Sequence, residues 1–187
     1  MANHISNSIQ IKNGNASVLK EVERIFHTNE GEYDVGTEEL AQRVYGDEYI
    51  GEYDRSWIID NCGAKWFNGT LEEAEEDYIS IQLESAWDPP SDWIVKLTET
   101  LVVIKEDVIV INTYEDEGFN FVGVHLCAKH EDEHLQLDMD KYDLENIWEN
   151  DDERDRLYDD QAELRDELES DYASTLLDMK ENPEDYE

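Results

Sequence analysis

The chain has 187 residues, with 50 Asp and Glu against 14 Lys and Arg and a formal net charge of −36. That balance repels nucleic acid and anionic membrane and attracts surfaces built to hold phosphates; with no run of Lys or Arg, direct nucleic-acid binding is excluded as an expectation. Five Trp, ten Tyr and four Phe in a 39% apolar composition are enough for one core and argue against acidic disorder.

In residues 4–12, Ile5, Ile9 and Ile11 alternate with polar side chains, which predicts a strand with one buried face. The period then changes. Val18, Leu19, Val22, Ile25 and Phe26 follow helical spacing over 16–27, so an amphipathic helix is expected next. Residues 31–54 are rich in Gly and Tyr and read as an elaborated connection, with a short helix over 37–45 capped by Thr37. Residues 57–67 are apolar and aromatic and take the place of the second strand, with Gly63 at a bulge or close approach and Asn68-Gly69 as a turn. Tyr78, Ile79, Ile81 and Leu83 mark the next strand, which ends before Asp88-Pro89-Pro90. A second helix over 90–101 follows, since prolines are tolerated in a first helical turn, with Trp93, Ile94 and Leu97 inward. Residues 108–113 are hydrophobic on both faces, which implies a central strand. After a turn over 115–118, residues 119–128 and 135–137 predict a further antiparallel hairpin. The order is that of an α+β ferredoxin-like antiparallel sheet with its helices on one face.

Three segments carry a resemblance: WIIDNCGAKW over 57–66, SAWDPP over 85–90 with Trp93 following, and YEDEGFNFVG over 114–123. With the opening MANHISNSIQI, they resemble the phage- and plasmid-borne YubB-type ferredoxin-like domain over residues 1–137. The resemblance implies the fold and a mobile-element origin, and carries no activity with it. Residues 28–54 form an insertion to that pattern, and 138–187 an acidic helical extension.

From Glu131 onward there are 24 acidic and 5 basic residues. Leu157, Leu164, Leu168, Tyr172, Leu176 and Met179 step along one helical stripe, which predicts a helix over 152–180 about 43 Å long. Asp152, Asp155, Asp159, Glu163 and Asp166 lie opposite the stripe, roughly 4.5 to 6 Å apart along the axis. Ten carboxylates over 152–171 amount to about one per 3 Å, against one phosphate per ~3.4 Å along a DNA strand. Two readings stay open: a phosphate-mimicking surface made of Asp152, Asp155, Asp159, Asp160, Glu163, Asp166 and Glu167, or a solvated helix packed on the domain. Halophily is disfavoured, because Lys is not displaced by Arg.

His130-Glu131-Asp132-Glu133-His134 satisfies HExxH, which on a helix would set two imidazoles and a general base around zinc. Between two strand-like runs it reads instead as a hairpin turn. Residues 138–143 start like a calcium loop but lack its glycine and closing glutamate. No catalytic set, metal site or cofactor is expected. Trp66, Phe67, Trp87 and Trp93 are assigned to core rather than to a pocket. Cys62 and Cys127, without a CxxC pair, are expected to be buried, reduced thiols. No apolar run is long enough to span a bilayer, and Met1-Ala2-Asn3-His4 lacks a signal-peptide pattern, so a cytoplasmic protein is expected. The function this predicts is a non-enzymatic phage or mobile-element inhibitor of a basic, nucleic-acid-binding host defence protein. The alternative is a structural or assembly protein that self-associates, for example as a homodimer, through its C-terminal helix.

Overall fold

In the computed structural model, which describes residues 3–28, 34–49 and 54–181, the alternation read at the start of the chain becomes β1 (His4–Lys12). Ile5, Asn7, Ile9 and Ile11 are all buried on one face. Asn15 accepts hydrogen bonds from the Ser17 and Val18 amides and so starts α1 (Ala16–Ile25), which buries Val18, Val22 and Ile25. Parts of the predicted connection, residues 29–33 and 50–53, lie outside the described residues, as do Met1, Ala2 and Pro183. Within it, α2 (Thr37–Tyr45) forms as expected, but Gly36 is its cap and no side chain caps it. Thr37 instead donates its hydroxyl to the Phe67 carbonyl at 2.6 Å and accepts the Phe67 amide at 2.9 Å, pinning the helix to a strand.

The apolar segment after the connection is the main departure from expectation. Residues 57–62 lie in a helix, α3 (Arg55–Cys62), capped by Asp54 and closed by Gly63 at φ 84. Its signal is Ile58 and Cys62, buried four residues apart, which a continuous apolar run conceals. Gly63 ends the helix in the left-handed region, and a Cβ there would stand 3.2 Å from the Ser91 amide. The second strand is therefore β2 (Phe67–Ala74), and Asn68-Gly69 lies inside it rather than in a turn. Gly69 is needed for closeness: a Cβ would meet a Leu83 methyl at 2.0 Å and the Gln82 carbonyl at 2.8 Å. Gly69→Ala is expected to lower stability by about 1–3 kcal/mol, read as a lower midpoint in urea with an unchanged slope.

β3 (Tyr78–Ala86) follows. Then α4 (Ser91–Ile104), with Pro90 at its cap, buries Trp93, Ile94, Leu97, Thr98 and Leu101. The fully buried Trp93 donates its indole N–H to the Leu40 carbonyl at 3.1 Å, joining α4 to α2. β4 (Ile109–Asp116), β5 (Val122–Ala128) and β6 (Glu131–Gln136) complete one six-stranded antiparallel sheet of order β2-β3-β1-β4-β5-β6. Its first four strands, with α1 and α4, have the ferredoxin-like order, and β4 is central as its two apolar faces imply. The buried Asp116 carboxylate accepts the Gly118 and Asn120 amides at 3.1 and 3.2 Å, which turns the chain from β4 towards β5.

A buried polar chain crosses the sheet under the helices. Asn112 donates to Asn7 at 3.0 Å, Asn7 donates to Ser85 at 3.0 Å, and Ser85 donates to the Asp88 carbonyl at 2.9 Å. Asn7→Ala leaves the Asn112 amide without its acceptor, and a loss of about 1–3 kcal/mol is expected in thermal or urea denaturation. A short 3-10 turn, Met139–Lys141, leads to the last element, α5 (Asp151–Glu181). The domain's first four helices lie on one sheet face, as expected, and the C-terminal extension lies on the other. The first four pack over Ile9, Ile11, Ile79, Ile81 and Val110, whereas α5 packs on the other side against Ile111, Val124, Leu126 and Ala128.

Candidate partner-binding surface

α5 is a helix for local reasons as well as tertiary ones. Asp151, Asp152 and Glu153 sit in its first turn and Lys180 in its last, each favourable for the helix dipole. The stripe supplies the rest. Leu157, Leu168 and Tyr172 are buried, while Leu164 and Leu176 pack half-buried beside them. Leu157 closes a separate cluster with Phe119, Val122, Tyr142 and Ile147. Three polar ties fix the helix position. Gln161 donates to the Tyr114 and Gly123 carbonyls at 3.2 and 3.1 Å, Lys12 on β1 meets Glu169 at 2.7 Å, and the Tyr142 hydroxyl donates to Asp160. Burial, and then the Asp160 carboxylate, raise the Tyr142 hydroxyl above the usual phenol range.

This docking sorts the carboxylates. Asp152, Asp155, Asp159, Glu163, Asp166 and Glu167 are exposed, whereas Asp160 is half-buried beneath Tyr142. The three arginines of α5 pair with carboxylates of the same helix. Arg154 pairs with Asp151, Arg156 lies 3.6 Å from Glu153 and 3.9 Å from Asp160, and Arg165 lies 3.2 Å from Asp166 and 3.7 Å from Glu169. Among the described residues, Asp152, Asp155, Asp159, Glu163 and Glu167 meet no cation. Sequence spacing alone could not separate the compensated acids from the free ones.

α5 packs on β4 to β6 and reaches β1 only at its Lys12 end, among the described residues. The outer face of β1 and β3 carries His4, Ser6, Gln82 and Glu84, and with Thr70, Glu72 and Glu115 these line an open groove of about 470 Å³. Burial raises the Glu115 carboxyl above its usual range. Its lining includes the packed pair Phe119 and Trp148, ring centres 4.8 Å apart, but no Lys or Arg, and its acids Asp34, Glu72, Glu84, Glu115, Asp116 and Glu117 oppose the phosphates that an RNA-binding sheet must hold.

The expected hairpin turn at HExxH is shorter than the motif. The turn itself is Lys129-His130, and residues 131–136 form β6. An edge strand paired on one side and mostly exposed leaves no apolar alternation to read. His134 accordingly faces the neighbouring strand, its ring stacked on His125 at 3.6 Å. In the calcium-like segment, Asp138 accepts the Asp140 amide and caps one 3-10 turn. Trp93 and Phe67 are core, as expected, but Trp87 is 42% exposed, with Arg55 and Lys65 each within 5 Å of its ring centre. Cys62 and Cys127 are free, buried thiols, and burial pushes Cys62 up to about 12.

Among the described residues no helix is long and apolar enough to cross a membrane. No protein-family model matches the chain, and no curated protein or solved structure matches it either.

Proposed function

We propose that this protein is a non-enzymatic inhibitor from a phage or other mobile element. It acts in the host cytoplasm by occupying the phosphate-binding cleft of a basic, nucleic-acid-binding defence protein, such as a nuclease or restriction complex. The observation that carries this reading is the outward row of α5. Asp152, Asp155, Asp159, Glu163 and Asp166 are held on a helix whose inward stripe is packed on the protein's own sheet. The row spans about 21 Å at 1.5 Å per residue, the length of about six phosphates along one DNA strand. A charge array fixed before binding loses less entropy on docking than a mobile acidic tail does. The resemblance to the YubB-type domain supports the mobile-element origin. With the stripe already occupied by the sheet, self-association through it has less surface to use, which favours the inhibitor reading.

The test is capture from host extract on the immobilised protein, eluted with a salt gradient and challenged with duplex DNA. A nucleic-acid-binding protein released at moderate salt and displaced by DNA is expected. Retention of partners that have no nucleic-acid site, or that ignore both salt and DNA, would refute the reading.

A further inference from the structure

The β5–β6 register sets His125 opposite His134 and Cys127 opposite Asp132. Antiparallel partners share a sheet face, so all four side chains meet on the face covered by α4. Their donor atoms converge. His125 Nε2 lies 2.7 Å from Cys127 Sγ and 2.8 Å from Asp132 Oδ1, Sγ and Oδ1 are 3.9 Å apart, and His134 Nε2 is 3.9 Å from the same Oδ1.

A catalytic triad would place thiol and carboxylate on opposite ring nitrogens. Here both address the same one. A single proton on Nε2 can serve the carboxylate or the sulfur but not both, whereas a cation among the three atoms is a partner to every lone pair at once. We infer that His125, Cys127 and Asp132 form a binding site for a thiophilic divalent cation, with zinc the best fit. One imidazole nitrogen, one thiolate and one carboxylate suit zinc and disfavour magnesium or calcium. Ordinary zinc–ligand lengths put donor atoms about 3.3–3.6 Å apart in a tetrahedron, so shifts of about 0.5–0.9 Å at His125 complete the site.

The site has an entrance. A cavity of about 270 Å³, lined by Val95, Thr98, Val102, Cys127, Lys129 and Asp132, opens over it, and the Asp132 side chain is 59% exposed. Water or His134 is available for the fourth position. Binding replaces the Cys127 thiol proton, which leaves to solvent, so the sulfur coordinates as thiolate. Among the described residues nothing hydrogen-bonds His125 Nδ1, so the stack on His134 and the strand packing orient the ring.

The experiment uses the full chain, stripped with a chelator and titrated with Co²⁺. The many exposed carboxylates also bind divalent ions weakly, but only a thiolate ligand yields a sulfur-to-cobalt charge-transfer band in the near ultraviolet. One equivalent of Co²⁺ is expected to develop that band and to be displaced by Zn²⁺. Cys127→Ser is expected to abolish it, exposed Asp132→Asn to weaken binding at least tenfold, and His130→Ala to change neither. No band in the native chain, a band that survives Cys127→Ser, or an affinity indifferent to Asp132→Asn overturns the assignment. Because Asp132 lies at the surface, its variant decides the matter even if Cys127→Ser fails to fold.

Discussion

Neutralising Asp152, Asp155, Asp159, Glu163 and Asp166 together, as Asn or Gln, is expected to give a folded, slightly more stable protein that has lost its partner. All five side chains are exposed, so no packing is removed. Four like-charge neighbours at i, i+3 or i, i+4 disappear, each worth a few tenths of a kcal/mol, for a gain of about 1–2 kcal/mol at low salt, which the lost Asp152 charge in the first turn and the lost Arg165–Asp166 pair reduce by about 1 kcal/mol. Affinity for the captured partner should fall at least about 100-fold at low ionic strength and lose most of its dependence on salt, because the released counterions belong to these charges. Calorimetry at several salt concentrations measures both. The control is equal neutralisation of Glu72, Glu73, Glu75, Glu76 and Asp77 around the β2–β3 turn. This changes net charge by the same amount far from α5 in sequence, and it should leave binding within a fewfold. If the two variants lose affinity alike, bulk charge rather than a positioned surface does the binding.

Removing α5 is expected to unfold the protein or drive it to aggregate. A chain ending before Asp151 uncovers Ile111, Val124, Leu126 and Ala128 on the sheet, and also the Phe119, Val122 and Ile147 cluster that Leu157 closes. An exposed apolar face of that kind aggregates. Single truncations of the stripe grade the effect. Leu157→Ala and Leu168→Ala should each cost about 2–5 kcal/mol, and the pair together a large part of the ~5–15 kcal/mol typical of a domain. Gel filtration, dye binding to exposed apolar surface and urea unfolding report it. A monomeric, cooperatively unfolding chain without α5 would make the helix a dispensable appendage.

The ferredoxin-like order was legible because most of its strands bury one face and both sheet-packing helices show a clear stripe. Residues 108–113 carried more information still. Ile109 and Ile111 are apolar on the face away from the first four helices, which already required a cover such as α5. What was not legible depends on pairing. Arg55–Cys62 hides a helix inside an apolar run, and Gly69 looks like a turn residue until Leu83 is placed beneath it. The His125, Cys127 and Asp132 site exists only through the β5–β6 register. HExxH drew attention to His130, one residue before the strand that supplies Asp132. Likewise, the row on α5 was legible, but which acids keep their charge uncompensated depends on how the helix is docked.

The two outermost strands of the sheet show a further use for so much acid. β2 ends in Glu72, Glu73 and Ala74, and β6 carries Glu131, Asp132 and Glu133, largely exposed. Unpaired strand edges are templates for another chain, and charge along them is what keeps copies apart. At the isoelectric point of about 4.1 the chain as a whole carries no net charge, the repulsion between copies fades, and they should zip edge to edge into filaments. Dilution into neutral buffer should dissolve those filaments by restoring the repulsion between edges.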